Sequence, residues 1–426
     1  MAATISYEQI KFRKVKDIVQ ARFMNIYTFQ ILPEQLEVLG NYELNKDGSI
    51  TFHDANDHEA NAVMDRLVDI GLSPEHLRNS ISKNPVNYIY RGCGVPLLGS
   101  NVFGVVDRGT SLIEVKPVTS CNFHCIYCSV GEGGDEKAYD FVVEAEYLAE
   151  TVREVMATKK LLHENAGVEI HMTIHGEPFL YGDMLHLTRL LNAIPGVKHI
   201  ATDTNGTLLT EEYVDQLAEA GFTRVNISLD AIDEEVAFKM YGKRYNHKKL
   251  LDICRYVAKH PKMDLLLAPL WMQGVNDEEI ERVIQFAKEL GVVIGIQNFM
   301  NYRYGRNPQK EITWEEFKAK LEALEKKYDY KLVMNMPKDF SIYKVDQISR
   351  PMRKGQVVSV EIKMNGNNHG EMIGVAHGRV VTVPTKAKIG DKIDVRLTRD
   401  KHNIFYGIPM KEKVQLDDVT FGRIAP

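Results

Sequence analysis

The sequence predicts an α/β protein: a partial (β/α)6 TIM barrel, preceded by a small N-terminal α/β domain and followed by a small C-terminal β-barrel. Three observations carry this. Between residues 111 and 300, six apolar runs of strand length alternate with five helical patterns. Buried parallel strands read as near-continuous apolar runs, and strand–helix alternation implies a parallel sheet. Beyond residue 352 the texture changes to short strands separated by Gly and Asn turns, the mark of a small all-β barrel. The length of 426 residues accommodates this, at roughly 100–200 residues per domain.

The elements follow in order. Residues 41–54 read as two short strands around Asn45-Lys46-Asp47-Gly48, and 60–70 as an amphipathic helix ending at Gly71. Gly92, Gly94, Pro96 and Gly99 mark a turn-rich junction. The six barrel strands are expected at 112–118, 168–174, 199–204, 224–229, 263–270 and 292–297. The helices between them are expected at 144–161, 183–193, 211–220, 248–259 and 277–290. Asn276 is the expected N-cap of the last helix and Gly291 its stop. A further helix covers 314–326. The domains read as 1–107, the barrel 108–335, a linker 336–352, the small β-barrel 353–410 and a tail 411–426.

Composition narrows the class. A 44% hydrophobic and 26% charged chain excludes disordered, collagen-like and coiled-coil readings. No apolar run approaches the roughly 18 residues that span a bilayer. Residues 1–22 are charged throughout, with no uninterrupted apolar stretch, so no secretory signal is expected. Five cysteines, an odd number, suggest reduced thiols in a cytoplasm, with a metal or catalytic use for any that cluster. The net charge of −5 is uneven: the last 77 residues are basic and residues 101–349 acidic. An acidic body does not bind polyanions unaided, whereas a basic module confers that affinity locally; a solvated basic face fits the same charges.

Three of the five cysteines do cluster, as Cys121, Cys125 and Cys128 just after the first barrel strand. A C-x3-C-x2-C spacing lets three thiolates face one centre, holding three irons of a [4Fe–4S] cluster and leaving the fourth open to reaction. A Cys3His zinc site completed by His124 or a distant histidine is the rival, and three unligated thiols the bland alternative. The strand ends separate these. In parallel barrels the chemistry sits at the strand C-termini. Here the second strand ends in His175-Gly176-Glu177-Pro178, the third in Asp203-Thr204-Asn205-Gly206-Thr207 and the fourth in Ser228-Leu229-Asp230. The fifth ends in Pro269-Leu270-Trp271 and the sixth in Gln297-Asn298. Polar or glycine-rich residues end every strand, which a zinc knuckle on one loop would not require. Singly, each of these residues is an ordinary turn or surface residue.

Residues 108–300 thereby resemble the radical S-adenosylmethionine (radical SAM) enzymes. The resemblance implies that Cys121, Cys125 and Cys128 ligate a [4Fe–4S] cluster whose open iron is chelated by SAM. Tyr127 matches the aromatic position beside the adenine. Gly176, Glu177 and Pro178 match the GGEP motif that holds the SAM amino group, with His175 in place of the first glycine. Asn205 and Ser228 match positions that contact the SAM ribose or carboxylate, and Asp230 and Gln297 are further candidates on adjacent strands. The implied chemistry is homolysis of SAM to a 5′-deoxyadenosyl radical that abstracts hydrogen, with an electron donor such as ferredoxin or flavodoxin. No acid–base residue is assigned.

The stretches GQVVSVEI at 355–362, GEMIGVA at 370–376, VVTVP at 380–384 and GDKIDV at 390–395 resemble a TRAM domain, which implies RNA binding through basic residues. Arg379, Lys386, Lys388, Lys392, Arg396 and Arg399 are the candidates. The aromatic-basic stretch 301–306 is a candidate for stacking on a nucleotide, or a solvated loop. Radical SAM joined to TRAM resembles the methylthiotransferases of tRNA, but those carry three more cysteines. Only Cys93 and Cys254 remain here, too few for a second cluster. Cys254 is expected to be a packed helical thiol and Cys93 a structural residue in a glycine loop, with a place near the rim as its alternative. The expected function is radical modification of RNA, most simply tRNA. A protein or small-metabolite substrate, and a non-catalytic metal- or RNA-binding role, are the alternatives.

Overall fold

A computed structural model describes residues 2–132, 134, 137–161 and 166–411. The tail beyond Lys411 lies outside the described residues.

All six expected barrel strands form: Leu112–Lys116, Val168–Met172, Val197–Thr204, Arg224–Ile227, Asp264–Leu267 and Val293–Ile294. They pair in parallel and in chain order. Sequential neighbours joined by crossover helices give the barrel's curl. Among the described residues the sheet stays open, edged by the antiparallel strand Gly104–Asp107. The fifth and sixth runs do not continue as single strands. Each breaks and resumes as a second parallel pair, Leu270–Trp271 with Gln297–Asn298. Pro269 lacks the N–H a continuous ladder needs, and its carbonyl accepts from Gln297 at 2.8 Å.

Outside the sheet lie the five expected helices, Ala145–Met156, Met184–Asn192, Glu211–Ala220, His247–Ala258 and Asp277–Leu290. Each has an apolar stripe against the strands. The first stops short of 161. Beyond Met156 the chain turns inward, so that the Lys159 ammonium reaches buried Asp107 at 2.5 Å. Gly291 ends the last helix at φ 69°, a left-handed cap that favours glycine. Asn276 occupies the N-cap position, but its side chain does not cap. It donates instead to the carbonyls of Asp230 and Leu270. The sequence pattern also missed a helix, Glu234–Tyr241, capped by the Asp233 carboxylate.

The N-terminal unit is richer in strands than expected. Tyr42–Leu44 and Ile50–Phe52 pair as read, joined by Ala3–Ile5, and the helix Asp57–Gly71 starts at an Asn56–Glu59 capping box. A second antiparallel sheet, Ile10–Val15, Ile18–Phe23, Tyr27–Ile31 and Arg78–Asn79, went unread. Its period-2 alternation is plain at Ile10 and Phe12, buried between exposed Lys11 and Arg13. The strand Val86–Ile89 leaves the unit to pair in parallel with Asp140–Val143, beside the cysteine loop.

The segment 336–352 is laid along the barrel's base. Ser111 donates to the Tyr343 carbonyl and Ile348 to the Asp107 carboxylate, both at 2.8 Å. Five strands, Val357–Asn365, Glu371–Ala376, Arg379–Pro384, Lys392–Arg399 and Tyr406–Pro409, then close a small barrel. It has its own core around Val360, Val381 and Phe405, while Met364, Ile373 and Val380 join the core of the large barrel.

Candidate active site

The strand C-termini and the cysteine loop enclose a cavity of about 280 Å³. Cys121, Cys125, Cys128, Tyr127, Gly176, Glu177, Asn205, Ser228 and Gln297 line it. Of the residues singled out in the sequence, Pro178 and Asp230 stand behind the wall. Pro178 opens a short 3-10 turn, Pro178–Leu180. Asp230 is fully buried, takes the Leu270 N–H at 2.8 Å and accepts from the Tyr127 hydroxyl. It therefore fixes the Tyr127 ring. Burial pushes the Asp230 carboxyl up to about 7, although those two donors pull it down.

The cysteine loop and the Gly-Glu-Pro turn are built against each other. Gly176 has φ +152°, and a β-carbon there would lie 2.0 Å from the Ser120 carbonyl oxygen. The next amide, Glu177 N–H, donates to that same oxygen at 2.6 Å. Only glycine lets the two backbones approach so closely. The Glu177 carboxylate accepts from Thr204 Oγ1 at 2.7 Å, Asn205 N–H at 2.8 Å and Phe179 N–H at 3.1 Å. Burial still raises its pKa to about 7. Asn205 in turn donates to Asn122 Oδ1 at 2.8 Å, so the third strand end is tied to the cysteine loop. His175 points away, into a small crevice shared with Asn101, Asn367 and Tyr406.

The cysteine loop is also gripped from outside. The missed helix supplies carbonyls of Tyr241 and Met240 to the amides of His124 and Ile126. The Tyr241 hydroxyl donates to the Ser228 carbonyl at 2.6 Å and accepts from Asp230 N–H at 2.9 Å. Arg306 donates to the carbonyls of Cys125, at 2.8 Å, and Glu132. Residues 301–306 are therefore no solvated loop: Tyr302 lines the cavity, Arg306 straps the cysteines, and Tyr304 donates to Glu371 of the small barrel at 2.8 Å. The sequence reading offered this stretch as a nucleotide contact or a solvated loop and did not reach the strap on the cysteines. Asp203, Thr204 and Leu270 also line the cavity; their signal was their place at strand ends.

The three thiols fit a cluster. All five cysteines are free. The Phe123 amide points at Cys121 Sγ, 3.4 Å away, and the Glu132 amide at Cys128 Sγ, 3.3 Å away; such N–H groups favour a charged sulfur. Burial raises all three thiols above the usual range, and neighbouring thiols and carboxylates add to it, so a metal must displace their protons. Three thiols that line one cavity suit a cluster with one cysteine per iron. Cys93 does not line the cavity, and Cys254 is buried in its helix.

Among the described residues no helix is long and apolar enough to cross a membrane.

The Radical SAM superfamily model matches residues 115–287, and the TRAM domain model residues 351–409. An uncharacterized protein of Methanocaldococcus jannaschii is 34% identical over 85% of this chain and 90% of its own length. A GTP 3′,8-cyclase of Nautilia profundicola is 30% identical over 55% of this chain and 69% of its own. The crystal structure of Streptococcus suis SuiB bound to S-adenosylmethionine superposes with a TM-score of 0.40 at 16% identity, covering 76% of this chain and 70% of that one. Enzymes of this class use a [4Fe–4S] cluster and SAM. This chain belongs to the radical SAM superfamily of enzymes and carries a TRAM domain at its C-terminus.

Proposed function

We propose that this enzyme modifies RNA, with tRNA the first substrate to test. The observation that carries the reading is the docking of the TRAM barrel beside the cavity mouth. The loop that straps the cysteines through Arg306 bonds the TRAM residue Glu371 through Tyr304. In this reading a strand of RNA held on the TRAM surface is delivered toward the cavity. Lys386, Lys388, Lys392 and Arg396 are exposed on that barrel, whereas Arg379 and Arg399 are partly buried. The exposed four are the phosphate contacts in this reading.

Cys121, Cys125 and Cys128 hold the cluster. When bound, the cluster and SAM supply a 5′-deoxyadenosyl radical for hydrogen abstraction, with an electron from a small protein such as ferredoxin or flavodoxin. The chain's own part is position and exclusion of water. Tyr127, fixed by Asp230, stacks by the adenine. The Gly176–Glu177 turn receives the amino group of SAM. Asn205, Ser228 and Gln297 meet its ribose and carboxylate from neighbouring strand ends. Pro178 shapes the turn from behind.

The test is nucleoside mass spectrometry of RNA from cells with and without the gene, paired with RNA binding by the cluster-loaded enzyme. Loss of one modified nucleoside, with salt-sensitive binding, supports the reading; an unchanged nucleoside set with no binding overturns it. A second reading, a small nucleotide as substrate, draws support from the cavity's size and from the cyclase named among the relatives. It predicts unchanged RNA and a nucleotide consumed by purified enzyme.

A further inference from the structure

Beneath the cavity, the interior of the half-barrel is charged. His171, on the second parallel strand, stands between two carboxylates. Its Nδ1 is 3.1 Å from Glu169 Oε1 on the same strand, and its Nε2 is 3.1 Å from Asp203 Oδ2 on the third. From the fourth strand Arg224 donates to Glu169 at 2.5 Å, and Asn226 donates to Asp203 Oδ1 at 2.9 Å. From the first strand Lys116, paired with Glu114 at 3.4 Å, adds a positive charge that Asp203 feels. The chain Glu169–His171–Asp203 is exposed mainly at Asp203, although Glu169 also lines a cavity at the base of the barrel. The Glu169 side chain is 4% exposed and that of Asp203 44%, and Asp203 lines the candidate active cavity.

Apolar side chains would fill this interior at no electrostatic cost, since a buried ion pair adds little net stability. The arrangement instead places the imidazole between two carboxylates that favour its charged form. Burial alone would discharge the imidazole, but Asp203 and Glu169 outweigh it and push His171 up to about 9.

We propose that Asp203 and His171 form an acid–base dyad serving the molecule bound in the cavity, with Asp203 touching that molecule and Glu169 holding the ring. The inference rests on reading the cavity as the reaction site. In the forward step the Nε2–H proton passes to Asp203 Oδ2, and Asp203 passes it to a basic atom of the bound molecule. One N–H bond breaks, one bond to hydrogen forms on that molecule, the ring becomes neutral, and no electron moves. After release, the ring recovers its proton from cavity water by the same route.

Two arms test this on the full-length, cluster-loaded enzyme. In the first, 15N-histidine NMR follows the His171 signal, identified by its loss in His171→Gln. The ring is expected to stay charged above pH 8, with Nε2–H exchanging with solvent faster than Nδ1–H. Asp203→Asn is expected to lower its pKa by at least one unit. A neutral ring at pH 7.5, or Nδ1–H exchanging first, overturns the dyad. In the second arm, small RNA from cells lacking the gene is the substrate, and product is counted per 5′-deoxyadenosine formed. That ratio is expected to fall at least tenfold in Asp203→Asn. Its alkaline limb is expected to shift to lower pH in Glu169→Gln, together with the NMR value. An unchanged ratio and an unmoved limb overturn the dyad. If the wild-type enzyme cleaves SAM but modifies no RNA, the RNA reading falls, and the NMR arm alone decides the dyad, for or against.

Discussion

At the scale of single residues, the site depends on atoms that nothing else can replace. Cys125→Ala removes one of three ligands, so iron after anaerobic reconstitution is expected to fall from about four per chain to below one, with loss of the brown absorbance; full retention of iron would refute the ligand set. Gly176→Ala drives a methyl group into the Ser120 carbonyl at a φ that side chains rarely adopt. It is expected to cost at least about 2 kcal/mol, read as a lower denaturant midpoint. Glu177 gives a pH signature. Burial raises its folded pKa to about 7, above the unfolded carboxylate value, so the native state holds the proton more tightly. Its contribution to stability is greatest below the unfolded pKa and is lost as pH rises to about 7. Glu177→Gln, which never ionises, is therefore expected to gain on the wild type between pH 4.5 and 7 in melting experiments on the metal-free chain; a constant difference across that range would contradict this. The cysteine motif and the Gly-Glu-Pro turn were legible because each is a short, contiguous spacing. The role of Asp230 was not, because its partner Tyr127 is 103 positions away, and neither residue's neighbours in sequence hint at the pairing.

At the scale of elements, the legible parts were those with a long, regular period. The helix Glu211–Ala220 matches its pattern end to end, and Asp277–Leu290 likewise. The helix Glu234–Tyr241 escaped notice because eight residues give only two turns, too few for a clear amphipathic stripe. Yet this helix grips the cysteine loop through two amide–carbonyl bonds, and Gly242 sits so close to the His124 carbonyl that a β-carbon would stand 2.5 Å away. Its N-cap carboxylate, Asp233, accepts from the amides of Glu235 and Val236 at 3.0 Å. Asp233→Ala is expected to destabilise the chain by about 1 kcal/mol and to speed loss of iron to a chelator. Unchanged iron release would show that the helix does not support the loop. The N-terminal meander was missed for a different reason: its turns carry Lys16, Met24 and Asn25 at positive φ, positions where glycine is the usual signal.

At the scale of the whole molecule, the TRAM barrel is docked rather than tethered. Leu98 accepts from Val380 N–H and Gly99 from Phe405 N–H. A β-carbon on Gly99 would stand 2.4 Å from the Val380 backbone. Since the two barrels share core residues, deleting residues 352–426 would bare apolar surface and confound a binding test. Reversing charge at exposed Lys388, Lys392 and Arg396 leaves the shared core untouched. The triple Glu variant is expected to weaken RNA binding at least tenfold at low salt and to flatten its salt dependence, by gel shift, because fewer phosphates are neutralised. Unaltered affinity would remove this face as the RNA contact. By itself the sequence determined the chemistry's class and the order of the barrel strands, because both rest on local spacing: thiols within one loop, and apolar runs separated by helices. Only the tertiary structure decided which strand ends share the cavity, that Asp230 and Pro178 stand behind its wall, that Arg306 straps the cysteines, and that His171 sits between Glu169 and Asp203. Those depend on contacts between residues far apart in the chain, where burial and the meeting of strands, not neighbouring residues, set each group's charge and role.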